Sequence, residues 1–421
     1  MTAAHHRTRR PRIALSERRG ALQLAAQATR GVAAVVEGVH ASVWRSLGAG
    51  GSAPPERTRG LTGLVYRGIH GISHVIERGA DRALAGLQSR LDHDTYADRP
   101  EPQRLAFQSV LNGVLGDHLV ASGNPLALPM TLRHRGQRVD IDAETTLKIP
   151  APGGHLLLLI HGLCMNDLQW HGEHGGQAVD HGETLAAALG ATPLHLRYNT
   201  GLHIARNGRE LSAQLERLVA RWPVPVERIS IVAHSMGGLV ARSACHHGEV
   251  DAMQWRRRLR HLVFLGVPHH GAPLERAGSW VDQLLARTMY TAPFAKLGQM
   301  RSTGITDLRH GCVRDEDALH VDRFASAHDH RRPLPLPEGV ACFSVAATLA
   351  QRRSPLAERL VGDGLVPLDS ALGRHDDPTR DLGLHRHPHW IMHGTGHIEL
   401  LHRADAGAHI LRWLNTHDFK R

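Results

Sequence analysis

The sequence predicts an α/β protein, with a mostly parallel sheet covered by helices on both faces and an all-helical segment before it. From about Met130 onward, continuous apolar runs alternate with amphipathic helical stretches, which is the pattern of a buried parallel sheet. Nothing in residues 1–122 alternates with the two-residue period of a strand. Apolar residues make up 42% of the 421 residues, enough for a sizeable core.

The N-terminal part is predicted to hold helices only. Residues 1–20 are basic and are expected to be a disordered tail, and residues 21–129 form a helical segment. Within it, helices are predicted from 21 to about 47, from 61 to 91, and from 103 to 121. The stretches "GAGGSAPPERTRG" and "SGNP" carry the glycine and proline that end the first and third of these helices.

Residues 130–421 are predicted to be the α/β domain. Its predicted strands are "HLLLLIHG", "TPLHLRYN", "ISIVAH", "RHLVFLGVP", "GVACFSVAAT" and "HWIMHG", after short strands within "MTLRHRGQRVDIDAETTLKI". Its predicted helices are "GETLAAALG", "NGRELSAQLERLVARW", "MGGLVARSACHHG" and "ADAGAHILRWLNTH". Between about 273 and 333 the alternation lapses, which indicates a helical cap or lid insertion. Its apolar side chains Trp280, Leu284 and Phe294 are the substrate-binding candidates.

The basic charge lies mostly in the N-terminal quarter. The formal net charge is +10, and residues 1–100 carry 15 arginines against 8 acidic residues, a net +7. This favours an anionic neighbour such as a membrane surface, and a generally arginine-rich composition is the plainer explanation. Aromatic residues are only 4% and no recognised nucleic-acid motif is present, so no nucleic-acid partner is expected.

One predicted N-terminal helix is amphipathic. On a helix of residues 61–78, seven leucine, valine and isoleucine side chains share one face, and Arg67, His70, His74 and Arg78 lie opposite. Such a helix could lie in a membrane interface as a peripheral contact. Packing of its apolar face against the rest of the protein is the favoured alternative.

The cysteines and the apolar runs indicate a cytoplasmic protein, peripheral to a membrane at most. Four cysteines without a CxxC pair are typical of thiols in a reducing compartment. The longest aliphatic run is "LLLLI", far short of a membrane span. The first residues lack the apolar core of a secretory signal.

The stretch "ISIVAHSMGGLVARSA" places Ser235 between a strand and a helix. A serine attacks a carbonyl only when a base removes its proton, and a sharp strand-to-helix turn exposes its hydroxyl above a helix N-terminus. Such a turn needs small residues two positions away on either side, and here these are Ala233 and Gly237. The alternative role is that of a helix-capping serine.

These motifs resemble the α/β-hydrolase superfamily, from about Met130 to the C-terminus. Within it, "LLIHGLCMNDLQW", "AHSMGGLVAR" and "FLGVPHHGAPLE" look like the bacterial lipase and esterase branch that also resembles glycosylphosphatidylinositol inositol-deacylases. The N-terminal helical segment lies outside the superfamily pattern.

The resemblance implies roles for particular residues. Ser235 is the nucleophile, and the backbone N–H groups of Leu163 and Met236 form the oxyanion hole. The stretch "GDGLVP" supplies the acid, Asp363, and "TGHIELL" supplies the base, His397. Asp369 is the reserve acid and His393 the runner-up base.

No metal or other cofactor is expected. His393 and His397 have the spacing of a zinc motif, but the intervening Gly-Thr-Gly does not favour a helix and no glutamate follows His393. The histidine-rich "HGEHGGQAVDHG" contains glycines that suggest a loop, and no metal is expected there.

The predicted function is that of a serine carboxyl-ester hydrolase, a lipase or esterase, working through a Ser-Asp-His triad and an acyl-enzyme. An acyltransferase or an amidase would use the same triad. A non-catalytic, membrane-associated binding protein on a hydrolase fold is the alternative from another class.

Overall fold

The computed structural model of the chain describes residues 20, 23, 102–143, 147, 149–272, 302–318, 331–351 and 362–416. Several predictions fall outside the described residues. They are the predicted tail and the predicted helices at 21–47 and 61–91, apart from Gly20 and Gln23, and the substrate-binding candidates Trp280, Leu284 and Phe294. The chain divides into two compact units. The first comprises residues 1–97 and 121–126, and the second comprises 98–120 and 127–421.

An eight-stranded, mostly parallel sheet forms the centre of the second unit. Its strands are β1 (Thr131–His134), β2 (Gln137–Arg138), β3 (His155–Ile160), β6 (Thr192–Arg197), β7 (Arg228–His234), β8 (Leu259–Leu265), β9 (Ala341–Thr348) and β10 (His389–His393). The two remaining strands, β4 (His171–His174) and β5 (Gln177–Asp180), form a separate hairpin.

The strand order is β10-β9-β8-β7-β3-β6-β1-β2. Six neighbouring strands pair in parallel, namely β10, β9, β8, β7, β3 and β6, and β1 pairs antiparallel with both β6 and β2. The parallel part of the sheet has the strand order and the polarity of the α/β-hydrolase fold, so the predicted fold class is confirmed for the described part of the α/β domain.

The middle strands are apolar on both faces because both faces are covered. All six residues of β3 are buried, and Leu158 lies level with Leu194 on β6 and Ile231 on β7. Side chains from these three strands therefore fill the core on both sides of the sheet. The carboxyl ends of the parallel strands meet at one edge, which carries the candidate site.

The described residues contain the five helices predicted outside the insertion, and two short helices, at 254–258 and 368–371, that were not predicted. They are α1 (Pro102–Ala121), α2 (His181–Leu189), α3 (Ile204–Arg221), α4 (Met236–Val250), α5 (Gln254–Arg258), α6 (Thr303–His310), α7 (Asp315–Ala318), α8 (Leu368–Ala371) and α9 (Ala404–Thr416). Short 3-10 turns lie at Asp167–Trp170, Leu384–Arg386 and Glu399–Leu401. The described part of the predicted insertion contains α6 and α7, and its role as a cap or lid stays a prediction.

Helix α1 belongs mainly to the unit that contains the sheet, although its sequence position groups it with the predicted N-terminal helices. The reason lies in its small residues. A Cβ at Gly113 would lie 2.1 Å from Cys164 Sγ, so only glycine permits the close approach of the helix to that loop. In addition, Asn112 Oδ1 accepts the Leu128 N–H at 2.8 Å.

The histidine-rich stretch after β3 is a hairpin, and the expected loop is wrong there. Strands β4 and β5 pair antiparallel around Gly175 and Gly176, whose φ angles are 59° and 77°. Two consecutive residues with positive φ make the tight turn that suits a hairpin, and glycine adopts it without strain. The two glycines thus act as a turn between strands.

Two further observations concern compartment and membrane. The four cysteines are buried free thiols. In the part of the chain that the structure describes, we find no helix of the length and apolarity needed to cross a bilayer.

Candidate active site

Ser235 occupies the single residue between strand β7 and helix α4. Its φ of 54° and ψ of −128° lie in a region that L-residues rarely adopt. Strain of this kind costs about 1–3 kcal/mol and persists where the surroundings fix it. Here the Ser235 N–H donates to the Leu265 carbonyl of the neighbouring strand β8 at 2.9 Å.

Two glycines make room for this corner. A Cβ at Gly237 would lie 2.6 Å from the His161 carbonyl oxygen and 2.7 Å from that of Ile160. A Cβ at Gly162 would lie 2.9 Å from Ser235 Cβ. Contacts below 3.0 Å are not tolerated, so the "HG" after β3 and the glycine after the serine are required by the geometry of one site.

Asp363 and His397 form a buried pair at the same edge of the sheet. His397 Nδ1 lies 2.7 Å from Asp363 Oδ2, and the two side chains are 4% and 1% exposed. The sequence prediction named both residues, and the structure brings them together. A short contact of this type fixes the imidazole with its proton on Nδ1 and leaves Nε2 as the proton acceptor.

The backbone around Asp363 holds the carboxylate in this position. Its Oδ1 accepts the N–H groups of Leu365 and Val366 at 3.0 and 2.8 Å. The His397 N–H donates to the Asp363 carbonyl at 3.1 Å, which ties the two loops together. The flanking Gly362 and Gly364 have φ angles of 52° and 95°, so the Gly-Asp-Gly sequence is what lets the loop turn.

His234 supports His397 from the other side. The two rings lie 4.7 Å apart, and His234 Nε2 is 3.1 Å from the His397 carbonyl oxygen. Burial, followed by the nearby His397, holds the pKa of His234 well below its ordinary value, so the ring is neutral and Nε2 carries the donated proton. Sequence reasoning missed this residue, although it stands directly before the serine.

Gly266 lies between the Ser235 corner and the Asp363–His397 pair. It follows Leu265, which accepts the Ser235 N–H, and a Cβ on it would lie 3.2 Å from both Asp363 Oδ2 and His397 Cε1. Its φ is 55°. The carboxyl ends of β7 and β8 therefore place Ser235 and the Asp363–His397 pair at the same edge of the sheet.

The predicted oxyanion residues lie against this corner. Met236 is the first residue of α4, so its N–H is one of those without an acceptor inside the helix. Leu163 follows Gly162 and is buried, and the next residue, Cys164, is fixed at φ 58° by an N–H bond of 3.0 Å to Thr200 Oγ1. Both backbone segments lie next to Ser235, and their catalytic role stays a prediction.

The two reserve residues lie elsewhere. Asp369 sits in α8 with its side chain 39% exposed, 3.5 Å from the Arg374 guanidinium. His393 ends strand β10 level with Thr348, and its carbonyl accepts the Thr395 hydroxyl. The geometry favours Asp363 and His397 over both.

No group of three or more histidine, cysteine or carboxylate side chains suited to a metal ion occurs among the residues that the structure covers.

Together, the strand order and the strained serine define the class of the fold, that of the α/β hydrolases.

Residues 130–310 match a family model described as a domain of unknown function, DUF7379. No curated protein sequence matches the chain. Among solved structures, a mature lipase of Bacillus licheniformis aligns at 16% identity and a TM-score of 0.37, covering 64% of this chain and 94% of that one. An esterase of Pyrococcus furiosus aligns at 12% and 0.35, covering 68% and 88%.

An ester hydrolase from the metagenome of Lake Arreo aligns at 12% identity and a TM-score of 0.37, covering 79% of this chain and 98% of that one. These likenesses concern the fold. The inositol-deacylase-like branch stays a prediction.

Proposed function

We propose that the chain is a serine carboxyl-ester hydrolase, a lipase or esterase, that works through Ser235, His397 and Asp363. The observation that carries the proposal is the buried 2.7 Å contact between His397 and Asp363 beside a serine held at φ 54°. A histidine oriented by a carboxylate, next to a serine at a strand-to-helix corner, is the arrangement that activates a hydroxyl for acyl transfer.

In the proposed reaction, His397 Nε2 takes the Ser235 proton as Oγ attacks the ester carbonyl carbon. The tetrahedral intermediate collapses to an acyl-serine, and the leaving alcohol departs with the proton from His397. Water then attacks the acyl-serine by the same route and releases the carboxylic acid. Asp363 keeps the imidazole in the productive tautomer and stabilises its charged form.

The backbone N–H groups of Leu163 and Met236 would receive the negative charge on the carbonyl oxygen. Each such donor typically contributes about a hundred-fold or more to kcat. Both donors are main-chain groups of buried residues, so their positions do not depend on a side-chain rotamer.

The test is turnover of p-nitrophenyl esters of increasing acyl length, with the wild type and Ser235→Ala. The matched control is Ser243→Ala on the same helix, whose buried hydroxyl has no hydrogen-bond partner in the structure. Ser235→Ala should lose nearly all turnover and all fluorophosphonate labelling, and Ser243→Ala should keep both. A fully active Ser235→Ala protein would contradict the proposal.

The same assay separates the alternatives. An acyltransferase gives the transesterified product when an alcohol competes with water, and an amidase turns over the matched anilide. A binding protein on a hydrolase fold shows no turnover that depends on Ser235.

A further inference from the structure

Helix α1 packs against the segment that carries one of the two predicted oxyanion donors. We call residues 161–166 the donor segment; it follows directly after strand β3. Its Gly162 lies against the nucleophile corner, since a Cβ there would be 2.9 Å from Ser235 Cβ. The N–H of the next residue, Leu163, has no acceptor among the described residues, so it is available to an oxyanion.

Cys164 makes the closest contact between the donor segment and α1. A Cβ at Gly113 would lie 2.1 Å from Cys164 Sγ and 3.1 Å from both Cα and Cβ of that cysteine. The Cys164 thiol also lies 3.9 Å from the Val110 carbonyl oxygen. Cys164 itself has a φ of 58°, a left-handed conformation that a non-glycine residue keeps only where its surroundings hold it. The helix is therefore part of what holds the backbone of the donor segment.

Asn166 makes a second contact with the same helix. Its Nδ2 donates to Ser109 Oγ at 3.2 Å, and the Ser109 hydroxyl donates onward to the Leu105 carbonyl at 2.7 Å. Asn166 Oδ1 accepts the Leu168 N–H at 3.0 Å and so begins the 3-10 turn after the donor segment. Both side chains are buried, and a buried amide that loses its acceptor is destabilising. The Ser109 hydroxyl thus helps to hold the end of the donor segment.

The part of α1 that makes these contacts is itself held by the second unit. The Ser302 hydroxyl donates to the Gly113 carbonyl at 2.6 Å, and Asn199 Nδ2 donates to the Gly116 carbonyl at 3.1 Å. These bonds come from segments far from α1 in the sequence. The helix can therefore act as a support for the donor segment, since it is fixed by contacts other than those that it makes with Cys164 and Asn166.

We propose that helix α1 positions the Leu163 N–H as an oxyanion donor. Gly113 acts through Cys164, and Ser109 acts through Asn166; both are positioning residues. The inference rests on the proposed esterase function, and it adds to that function a helix that lies outside the α/β-hydrolase sequence pattern. An oxyanion donor is effective at about 2.7–3.1 Å from the developing charge, so a small displacement of the donor segment weakens it. Because the interaction is strongest in the transition state, the loss should appear in kcat and not in KM.

The first test is Gly113→Ala in the full chain. Rotation of the Cys164 thiol would not relieve the contacts at Cα and Cβ, so the donor segment must move. For a soluble p-nitrophenyl ester, kcat should fall about tenfold or more, with KM changed by less than about twofold. Adding Cys164→Ala to Gly113→Ala removes the closest contact, and the double variant should return to the kcat of the Cys164→Ala variant.

The second test is Ser109→Ala, which leaves the Asn166 amide without its acceptor on α1. Its kcat should fall about fivefold, as expected for one buried hydrogen bond. The matched control is Leu111→Val, which removes one methylene from a buried side chain of the same helix. Leu111 is two positions from both Ser109 and Gly113, about 200° around the helix and so on its far side. This control should lose stability in urea unfolding and keep the wild-type kcat.

A trifluoromethyl ketone gives a readout that a loss of stability would not move. Attack of Ser235 Oγ on its carbonyl carbon transfers the serine proton to His397 and leaves an oxyanion where the ester intermediate has one. In Gly113→Ala and Ser109→Ala, its Ki should rise by the same factor as kcat/KM falls. In Leu111→Val, the Ki should equal that of the wild type.

The outcomes separate this inference from the proposed function. Wild-type turnover that depends on Ser235, with the kcat and Ki of Gly113→Ala and Ser109→Ala equal to those of Leu111→Val, would overturn the inference alone. So would a kcat of Gly113→Ala that Cys164→Ala does not restore. Absence of any turnover that depends on Ser235 would overturn both. Should Gly113→Ala fail to fold, the comparison of Ser109→Ala with Leu111→Val decides.

Discussion

Single residues at the site hold positions that a relaxed chain would avoid. Ser235 keeps a strained φ of 54° because Leu265 accepts its N–H, and Gly162 and Gly237 leave room on either side. Without these contacts, a serine at this position would adopt the extended backbone conformation of an ordinary helix N-cap. The strained backbone therefore indicates that the Ser235 hydroxyl is functional. The role of each residue around it can be tested by a substitution that removes or disturbs its contact.

Asp363→Asn is expected to lower kcat by about 10³–10⁴-fold with little change in KM. The asparagine amide could donate its N–H to His397 Nδ1, which lies 2.7 Å from the present carboxylate oxygen. The imidazole would then carry its proton on Nε2 and could not accept the Ser235 proton there. The measurement is steady-state kinetics on a soluble p-nitrophenyl ester. Asp369→Asn, at the partly exposed reserve position, should behave as the wild type. If the Asp369 variant is the inactive one, the acid has been assigned wrongly.

Gly266→Ala tests the contact between the end of β8 and the Asp363–His397 pair. The new Cβ would lie 3.2 Å from Asp363 Oδ2 and from His397 Cε1, so the pair must shift and kcat should fall at least about tenfold. The left-handed backbone, φ 55°, adds about 1–2 kcal/mol of lost stability.

The control for Gly266→Ala is Gly339→Ala. Gly339 has a similar φ of 69°, but its Cβ would have nothing within 4 Å. Both variants should lose similar stability in urea unfolding, and only the Gly266 variant should lose kcat. Equal kcat in the two would show that Gly266 has no effect on the pair.

The three candidate side chains, Ser235, Asp363 and His397, could be named from the sequence because each lies in a short motif with a glycine one or two residues away, and their catalytic roles stay a prediction. His234 and Gly266 could not be identified as supports, since their roles arise from contacts between loops distant in sequence.

Among the elements, the strands of the sheet could be predicted and the placement of α1 could not. Buried runs such as "HLLLLI" have few alternatives to a central strand. For α1 the sequence indicates a helix, but its partner is set by Gly113 and Gly116, where a Cβ would collide with Cys164 and Asn199. The hairpin at 171–180 escaped prediction because paired glycines are equally typical of a loop.

Truncation tests the placement of α1. A chain beginning at residue 98 keeps the whole second-unit part of this helix and should stay folded and active toward short soluble esters. A chain beginning at Gly123 loses α1 and the burial of Leu105, Val110, Leu111, Leu115 and Leu119. At about 1.5–3 kcal/mol for each side chain, this loss is comparable to the whole stability of a typical domain.

The measurements are far-ultraviolet circular dichroism and ester turnover of the two truncated chains. The chain from Gly123 should be insoluble or inactive. If that shorter chain is soluble and fully active, α1 does not stabilise the sheet.

At the scale of the whole molecule, buried neutral histidines should make the protein sensitive to acid. Burial lowers the pKa of His161, His181 and His195 to about 4. Between pH 6.5 and 4 the unfolded chain binds protons at these residues and the folded chain does not, so stability falls as the pH falls. Each residue contributes up to about 1.4 kcal/mol per pH unit in that window.

The free energy of unfolding in urea should therefore decrease steadily from pH 7 to pH 5.5. His171, whose pKa is raised by the hydrogen bond to Asp180, opposes this trend because its stabilising charge is present below its unfolded pKa. It is a single histidine, opposed by the three named above and by His234, whose pKa burial also lowers. A free energy that stays constant over this range would mean that the buried rings titrate as they do in the unfolded chain.

The last whole-molecule prediction concerns the net +7 charge of residues 1–100 and the amphipathic pattern of residues 61–78. If this segment brings the enzyme to lipid substrates, full-length protein should co-sediment with anionic vesicles, and less so as salt screens the attraction. The chain from residue 98 should lose this binding and keep its turnover of short soluble esters, because the second unit retains Ser235, Asp363 and His397. If the full-length protein does not bind anionic vesicles at low salt, the segment has a structural packing role and does not bind membranes.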